Sequence, residues 1–342
     1  MAYTTIKKPS DYFNTVLYTG NVGTNNITGV GFKPDLVWTK NRQDNYNHSL
    51  FDVVRGVTKR ITANETNVEA TVSASLTAFD SDGFSLGNDT TANASNNYAS
   101  WNWKANSTGV ANTDGSISST VSANTTSGFS IVKWTGTGAN ATVGHGLGSV
   151  PKMIIVKNTT GSGWSWYTYH VSIGATKNLY LNNDDATVTS SDRWQDTTPT
   201  SSVFYLGSNG GVNGSGNTMI AYCFADVQGF SKFGSYIGNG SATDGAFCYT
   251  GFKPSFVIIK QTNAAGESWI IKDNKRGAFN QNNPTLFANL NSAESNREYI
   301  DFLSNGFKCR DNSSAFNASG SLYIFMAFAE QPLVGDNPAT AR

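Results

Sequence analysis

Chemistry needs titratable or metal-ligating side chains that can meet, and this chain offers few obvious sets. Its only histidines, His48, His145 and His170, stand in separate segments, none at metal-ligand spacing. The cysteines Cys223, Cys248 and Cys309 form no C-x-x-C pair and read as small buried apolar residues. Asp80-Ser81-Asp82-Gly83 opens like a calcium loop, but the position that should carry a bidentate Glu is Thr91, so a turn feeding a strand is expected instead. Gly144-His145-Gly146-Leu147-Gly148 precedes a strand, without the helix and Lys-Ser or Lys-Thr that a phosphate loop requires. No G-x-S-x-G elbow is present. These absences point away from an enzyme, a metal centre or a cofactor.

Two patterns remain. Asp52-x-x-Arg55-Gly56 recurs as Asp273-x-x-Arg276-Gly277, which reads either as a charged ligand site or as a turn whose Asp and Arg tie each other down. The aromatic run Trp164-Ser165-Trp166-Tyr167-Thr168-Tyr169-His170 is the other. Exposed, Trp164, Trp166, Tyr167 and Tyr169 would form a glycan-binding platform, since aromatic faces cover the apolar side of a pyranose. Buried, the run is a strand, with Trp164, Trp166 and Thr168 on one face and Tyr167 and Tyr169 on the other.

The elements that must position these residues come from an internal repeat. Gly31-Phe32-Lys33-Pro34-Asp35-Leu36-Val37-Trp38-Thr39-Lys40 returns as Gly251-Phe252-Lys253-Pro254-Ser255-Phe256-Val257-Ile258-Ile259-Lys260, and more loosely as Gly148 to Lys157 around Pro151. The copies lie about a hundred residues apart, the size of a small domain. Proline suits the first residue of a strand, and the apolar run behind it predicts a strand buried on both faces, with the closing lysine emerging into water. Tyr18-Thr19-Gly20, Trp134-Thr135-Gly136 and Tyr236-Ile237-Gly238 precede the copies as hairpin arms. Phe79 to Phe84 matches Phe302 to Phe307, and each frame closes on an aromatic strand ending near Lys104, Ala225 or Ala329.

The fold class expected is therefore all-β, with three tandem related β-sandwich, jelly-roll-like domains. Their boundaries are an N-terminal arm 1–10, repeat one 11–105, a Ser/Thr/Asn-rich linker 106–127 whose inner part could form an edge strand, repeat two 128–226, repeat three 227–332 and a polar tail 333–342. Only 14% of residues are charged, and the 24 basic and 24 acidic side chains cancel, so no field favours nucleic acid. No segment has the apolar length of a membrane span, and the polar N-terminus lacks a secretory signal's apolar stretch.

Residues Ile117 to Gly128, Gly144 to Lys157, Tyr222-Cys223-Phe224-Ala225, Ser231-Lys232-Phe233-Gly234-Ser235-Tyr236 and the Gly-Phe-Lys-Pro strands together resemble repeat-bearing virion structural proteins of tailed bacteriophages, marine and cyanobacterial ones especially, often labelled tail fibre. The resemblance covers nearly the whole chain. It implies a homo-oligomeric virion component, assembled in the host cytoplasm with other virion proteins and released, whose surface could meet a host glycan. A capsid decoration or adaptor held by the arm Met1 to Asp11 is the alternative. A polysaccharide depolymerase is the second, with acids sought among Asp184, Asp185, Glu267 and Glu294.

Overall fold

The computed structural model describes residues 3–334 and 338, apart from the side chains at 298 and 299. All three proline-led runs are strands: Leu36–Asn41, Met153–Asn158 and Phe252–Gln261. Each lies between a closing strand (Asn97–Trp103, Thr218–Phe224 or Leu322–Pro332) and a return strand (Ser49–Asp52, Trp166–His170 or Ile270–Asp273). An opening strand, Phe13–Thr19, Phe129–Thr135 or Ser231–Ile237, pairs with the far side of the closing strand. The order opening, closing, proline-led, return is the same in every repeat, and so is the register. Trp103 sits between Phe13 and Leu36, Phe224 between Phe129 and Met153, and Phe328 between Ser231 and Phe256.

A second layer of strands covers the outer face of each main sheet, as a separate small sheet in repeats one and two and, in repeat three, as a continuation of the main sheet through Asn282–Phe287 and Ser295–Leu303. It is built on Asn25–Thr28 with Gly83–Leu86, on Ala141–Gly144 with Val203–Leu206, and on Phe247–Tyr249 with Gly306–Cys309. Side chains alternate across a strand, so one face of each main sheet packs under this lid as a private core. Val37, Phe51 and Phe84 do so in repeat one, Val156, Tyr167 and Phe204 in repeat two, and Val257, Ile270 and Phe307 in repeat three. The all-β class and the sandwich layering are thus as the sequence predicts.

The other faces differ from a picture of separately cored tandem domains. They meet in one shared core holding Leu36, Trp38 and Trp103, Met153, Ile155 and Phe224, and Phe256, Ile258 and Phe328. The equivalent rings of Trp103, Phe224 and Phe328 touch pairwise, with centroids 6.3, 5.9 and 6.1 Å apart. They mark a pseudo-threefold axis. The physical reason was already in the strands: a run buried on both faces needs two cores, and one sandwich supplies only one.

Two further triples hold the lids. A Cβ on Gly20, Gly136 or Gly238 would come within 1.9, 2.3 and 2.3 Å of the carbonyl oxygens of Ala94, Gly214 and Ala318, so only glycine fits the end of each opening strand. Beside it stands a fully buried Asn: Asn93, Asn213 or Asn317. Each accepts a backbone N–H with Oδ1, from Asn21, Thr137 and Asn239, and donates Nδ2 to a loop carbonyl.

The linker 106–127 is part of a sheet. Ser119–Asn124 pairs with the opening strand of repeat two, and Val110–Asn112 pairs outside it. The arm 1–10, over its described residues, is packed down: Ile6 lies in the shared core and the Tyr3 hydroxyl donates to the Gly251 carbonyl at 2.7 Å. Most of the tail 333–342 lies outside the described residues. Among the described residues, no helix is long and apolar enough to cross a membrane.

Candidate functional site

The aromatic platform does not form. Trp166, Tyr167 and Tyr169 are 0, 4 and 1% exposed, and Trp164 is half-buried, packed against the core of repeat two. Trp166 faces the shared core while Tyr167 and Tyr169 face the private one, the alternation expected of a buried strand, but Trp164, expected on the Trp166 face, packs on the private side because the strand begins only at Trp166. Gly210 and Gly211 make room for the Trp164 and Tyr167 rings, which a Cβ would meet at 2.4 and 2.1 Å. The Trp166 indole N–H donates to the Thr62 carbonyl of repeat one at 2.8 Å, making it a strut between repeats. Trp269 does the same to Tyr180 of repeat two at 2.8 Å, and His48 Nε2 bonds the Phe287 carbonyl of repeat three at 2.9 Å. These three residues occupy equivalent positions, and the contacts run in one rotational sense around the axis.

The Asp-x-x-Arg turns belong to the same ring. Asp52 takes the backbone N–H groups of Val54 and Arg55 and the Arg55 Nε at 2.5 Å, then accepts the Tyr222 hydroxyl of repeat two at 2.9 Å. Asp273 takes the backbone N–H groups of Lys275 and Arg276, the Arg276 Nε at 2.6 Å, and the Trp101 indole N–H of repeat one at 3.1 Å. Glu69 and Glu294 accept the outer arm of each guanidinium, at 3.2 and 3.0 Å. At the third junction the residue equivalent to Trp101 and Tyr222 is Met326, which cannot donate. The carboxylate is replaced there by His170, whose Nδ1 accepts the Ser172 N–H, leaving Nε2–H to reach the Phe325 carbonyl of repeat three at 3.3 Å. Burial holds His170 neutral, lowering its pKa to about 4.

The lysines ending the proline-led strands do not emerge into water. Lys40, Lys157 and Lys260 are 1, 0 and 0% exposed, because each ammonium is received by backbone carbonyls. Lys157 reaches Trp164 and, across the junction, Thr66; Lys260 reaches Gln261 and, across the next, Asp184; Lys40 bonds Asn41 and lies near Glu294 of repeat three. Burial draws Lys157 and Lys260 down to about 8 and Lys40 to about 7. Two residues further on, the carbonyls of Arg42, Thr159 and Thr262 accept the N–H groups of Glu294, Glu69 and Thr187 from the neighbouring repeat, at 2.8, 2.9 and 2.9 Å.

Solvent-accessible polar groups converge instead in a recess of about 500 Å³, formed by the loop Asn45 to Asn47 and the segment around Arg60 to Ala70, with Asn291 of repeat three on its rim. Glu65 organises it: one carboxylate oxygen accepts Asn47 Nδ2 at 2.5 Å and the other accepts Asn67 Nδ2. Asn64 Nδ2 in turn donates to Asn47 Oδ1 at 2.8 Å. Arg60 is steadied by Asp89 at 2.8 Å, and Tyr46 lies half-buried in the wall. The corresponding loops, Thr160 to Ser165 and Asn263 to Ser268, have no Asn-Tyr-Asn run. Amides, one cation, one anion and one ring suit an uncharged polar ligand rich in hydroxyls. Sequence reasoning missed this site, because Asn45, Asn47 and Asn67 are lost among so many asparagines.

A family model matches residues 8–332, crossing both repeat boundaries without a break. The chain belongs to the family described as a domain of unknown function, DUF7483. No curated protein and no solved structure matches it. That one DUF7483 model spans all three repeats agrees with their having a common core. In this DUF7483 chain the remaining histidine is also held, His145 Nδ1 accepting the Leu147 N–H and Nε2 bonding the Thr200 carbonyl. Glu294, one of the four acids considered for glycoside cleavage, has both oxygens occupied by Arg42 and Arg276. No group of three metal-ligating side chains occurs among the described residues.

Proposed function

We propose that the chain is a non-enzymatic structural protein of a tailed-phage virion, an appendage component whose closed ring presents the Asn45–Asn67 recess to host-surface glycans. One observation carries this reading: the charged and aromatic groups most able to do chemistry are locked into the repeat junctions, while accessible amides, one cation, one anion and one ring line a shaped recess. A rigid scaffold with a shallow polar site suits multivalent display, where many copies on a particle make weak single contacts sufficient. The resemblance to virion proteins in the repeat phrases supports the placement.

Purified protein should adsorb to host cells, and Tyr46→Ala with Asn67→Ala should weaken adsorption at least about tenfold, equivalent to roughly 1.4 kcal/mol. Trp164→Ala should leave it unchanged. Adsorption indifferent to the recess substitutions would remove the recess from the proposal. No adsorption at all, with the protein seen on the head of imaged particles, would favour the decoration or adaptor reading.

A further inference from the structure

Aromatic rings in this fold are nearly all buried or half-buried, so the exceptions are informative. Among the described residues three aromatic side chains are exposed, Phe247, Tyr249 and Phe279, at 47, 56 and 82%, and all three lie in repeat three. Two of them share one strand. In Phe247–Tyr249, the terminal strand of the repeat-three lid, Cys248 points into the private core while Phe247 and Tyr249 stand in sequence on the outer face. The fold does not require them there. Cys248 pairs with Phe307 as Ile27 does with Phe84 and Val143 with Phe204, so the equivalent outward positions hold Asn26 and Thr28 in repeat one and Thr142 and Gly144 in repeat two.

Two glycines seat the rings. A Cβ on Gly306, the cross-strand partner of Tyr249, would meet the Phe247 ring at 3.0 Å, so that ring lies over bare backbone. A Cβ on Gly251 would stand 2.9 Å from the Tyr3 hydroxyl and 3.6 Å from the Tyr249 hydroxyl, so the arm, bonded to the Gly251 carbonyl through Tyr3, meets the tip of Tyr249. Beyond Phe247 the same row continues across the ladder through Lys308 to Asp301. Lys308 is paired to Asp244, and Asp301 to Arg310 at 3.3 Å, so the charges beside the rings cancel.

We propose that this face of repeat three binds an uncharged oligosaccharide, at a site that does not depend on the recess. Successive pyranoses lay their apolar faces on Phe247 and Tyr249, spaced roughly 7 Å along the strand, while their hydroxyls donate to the carboxylates and accept from Lys308 and Arg310. A charged ligand would find no unbalanced counter-charge. Size argues against a protein partner or a second copy of the chain: the two half-exposed rings offer on the order of 200 Å² of apolar surface, against roughly 800 Å² per partner in a stable interface. The ion pairs beside them interrupt any larger apolar patch.

Calorimetric titration of the full-length protein with cellohexaose and with chitohexaose, uncharged β-linked chains with flat apolar faces, tests this. Tyr46→Ala with Asn67→Ala is kept in the background to silence the recess. At least one of the two sugars should bind in the millimolar range. Phe247→Asn with Tyr249→Thr, the residues that repeat one holds at these positions, should weaken binding at least about tenfold and leave circular dichroism unchanged. Tyr249→Phe should bind as before, since the hydroxyl is turned to Tyr3 and the ring remains. No binding of either sugar, or binding that survives in the folded double variant, would overturn the proposal. So would light scattering that finds a dimer of the parent chain and a monomer of the ring variant, for then a second copy covers the rings.

Discussion

Asp273→Ala is expected to lower stability by about 3–5 kcal/mol in equilibrium denaturation, because it leaves the Arg276 guanidinium buried without its main counter-charge. Both side chains are 0% exposed, and the substitution strips partners from two backbone N–H groups and from the Trp101 indole as well. Glu294 still holds the outer end of Arg276, so the lower part of that range is the better expectation. Adding Arg276→Met should recover part of the loss, since the stranded charge goes with it. The middle repeat shows that the fold tolerates a neutral junction, for it uses His170 and Ile173 where the others have Asp and Arg. A cost below about 1 kcal/mol for Asp273→Ala would mean that water replaces the carboxylate and that the junction is not dry.

Trp103→Ala should be as damaging, again by about 3–5 kcal/mol, the range for removing a large aromatic from a packed core. Its ring touches Phe13 in its own repeat, Phe129 and Phe224 in the second, and Phe256 and Phe328 in the third. Trp103→Phe should be much milder. The Trp103 indole N–H is buried without a hydrogen-bond partner, so phenylalanine keeps most of the apolar contact and removes an unsatisfied donor. If instead the alanine variant loosened repeat one alone, the axis would not be a shared core.

The repeat itself was legible because proline-led apolar strands and glycine turns are local signals. The Phe79 to Phe84 and Phe302 to Phe307 hairpins form as read, and a Cβ on Gly83 or Gly306 would meet a carbonyl oxygen at 1.9 or 2.1 Å. Asp82 serves the turn by accepting the Gly29 and Gly31 N–H groups. The alternation from Trp166 to Tyr169 was also correct, but its environment was not readable. Exposure of a strand depends on what covers it, and here the cover on one face comes from other repeats.

The terminal lysines were misread for the same reason. A lysine after an apolar run ordinarily marks the return to solvent, and nothing near Lys157 in sequence announces that Thr66 will offer it a carbonyl. The equivalent asparagines Asn93, Asn213 and Asn317 escaped notice because one buried amide looks like any other in an Asn-rich chain. Closure of the ring is a long-range property. Its contacts, such as Trp101 with Asp273, join residues that no local pattern relates.

Hydrogen exchange followed across increasing denaturant tests the shared core most directly. Amides in Leu36–Asn41, Met153–Asn158 and Phe252–Gln261, one strand from each repeat, should become exposed together, in a single transition with one midpoint and one slope. Three strands opening at separate midpoints would contradict the account, for then each repeat would stand on its own lid and the axis would hold nothing in common.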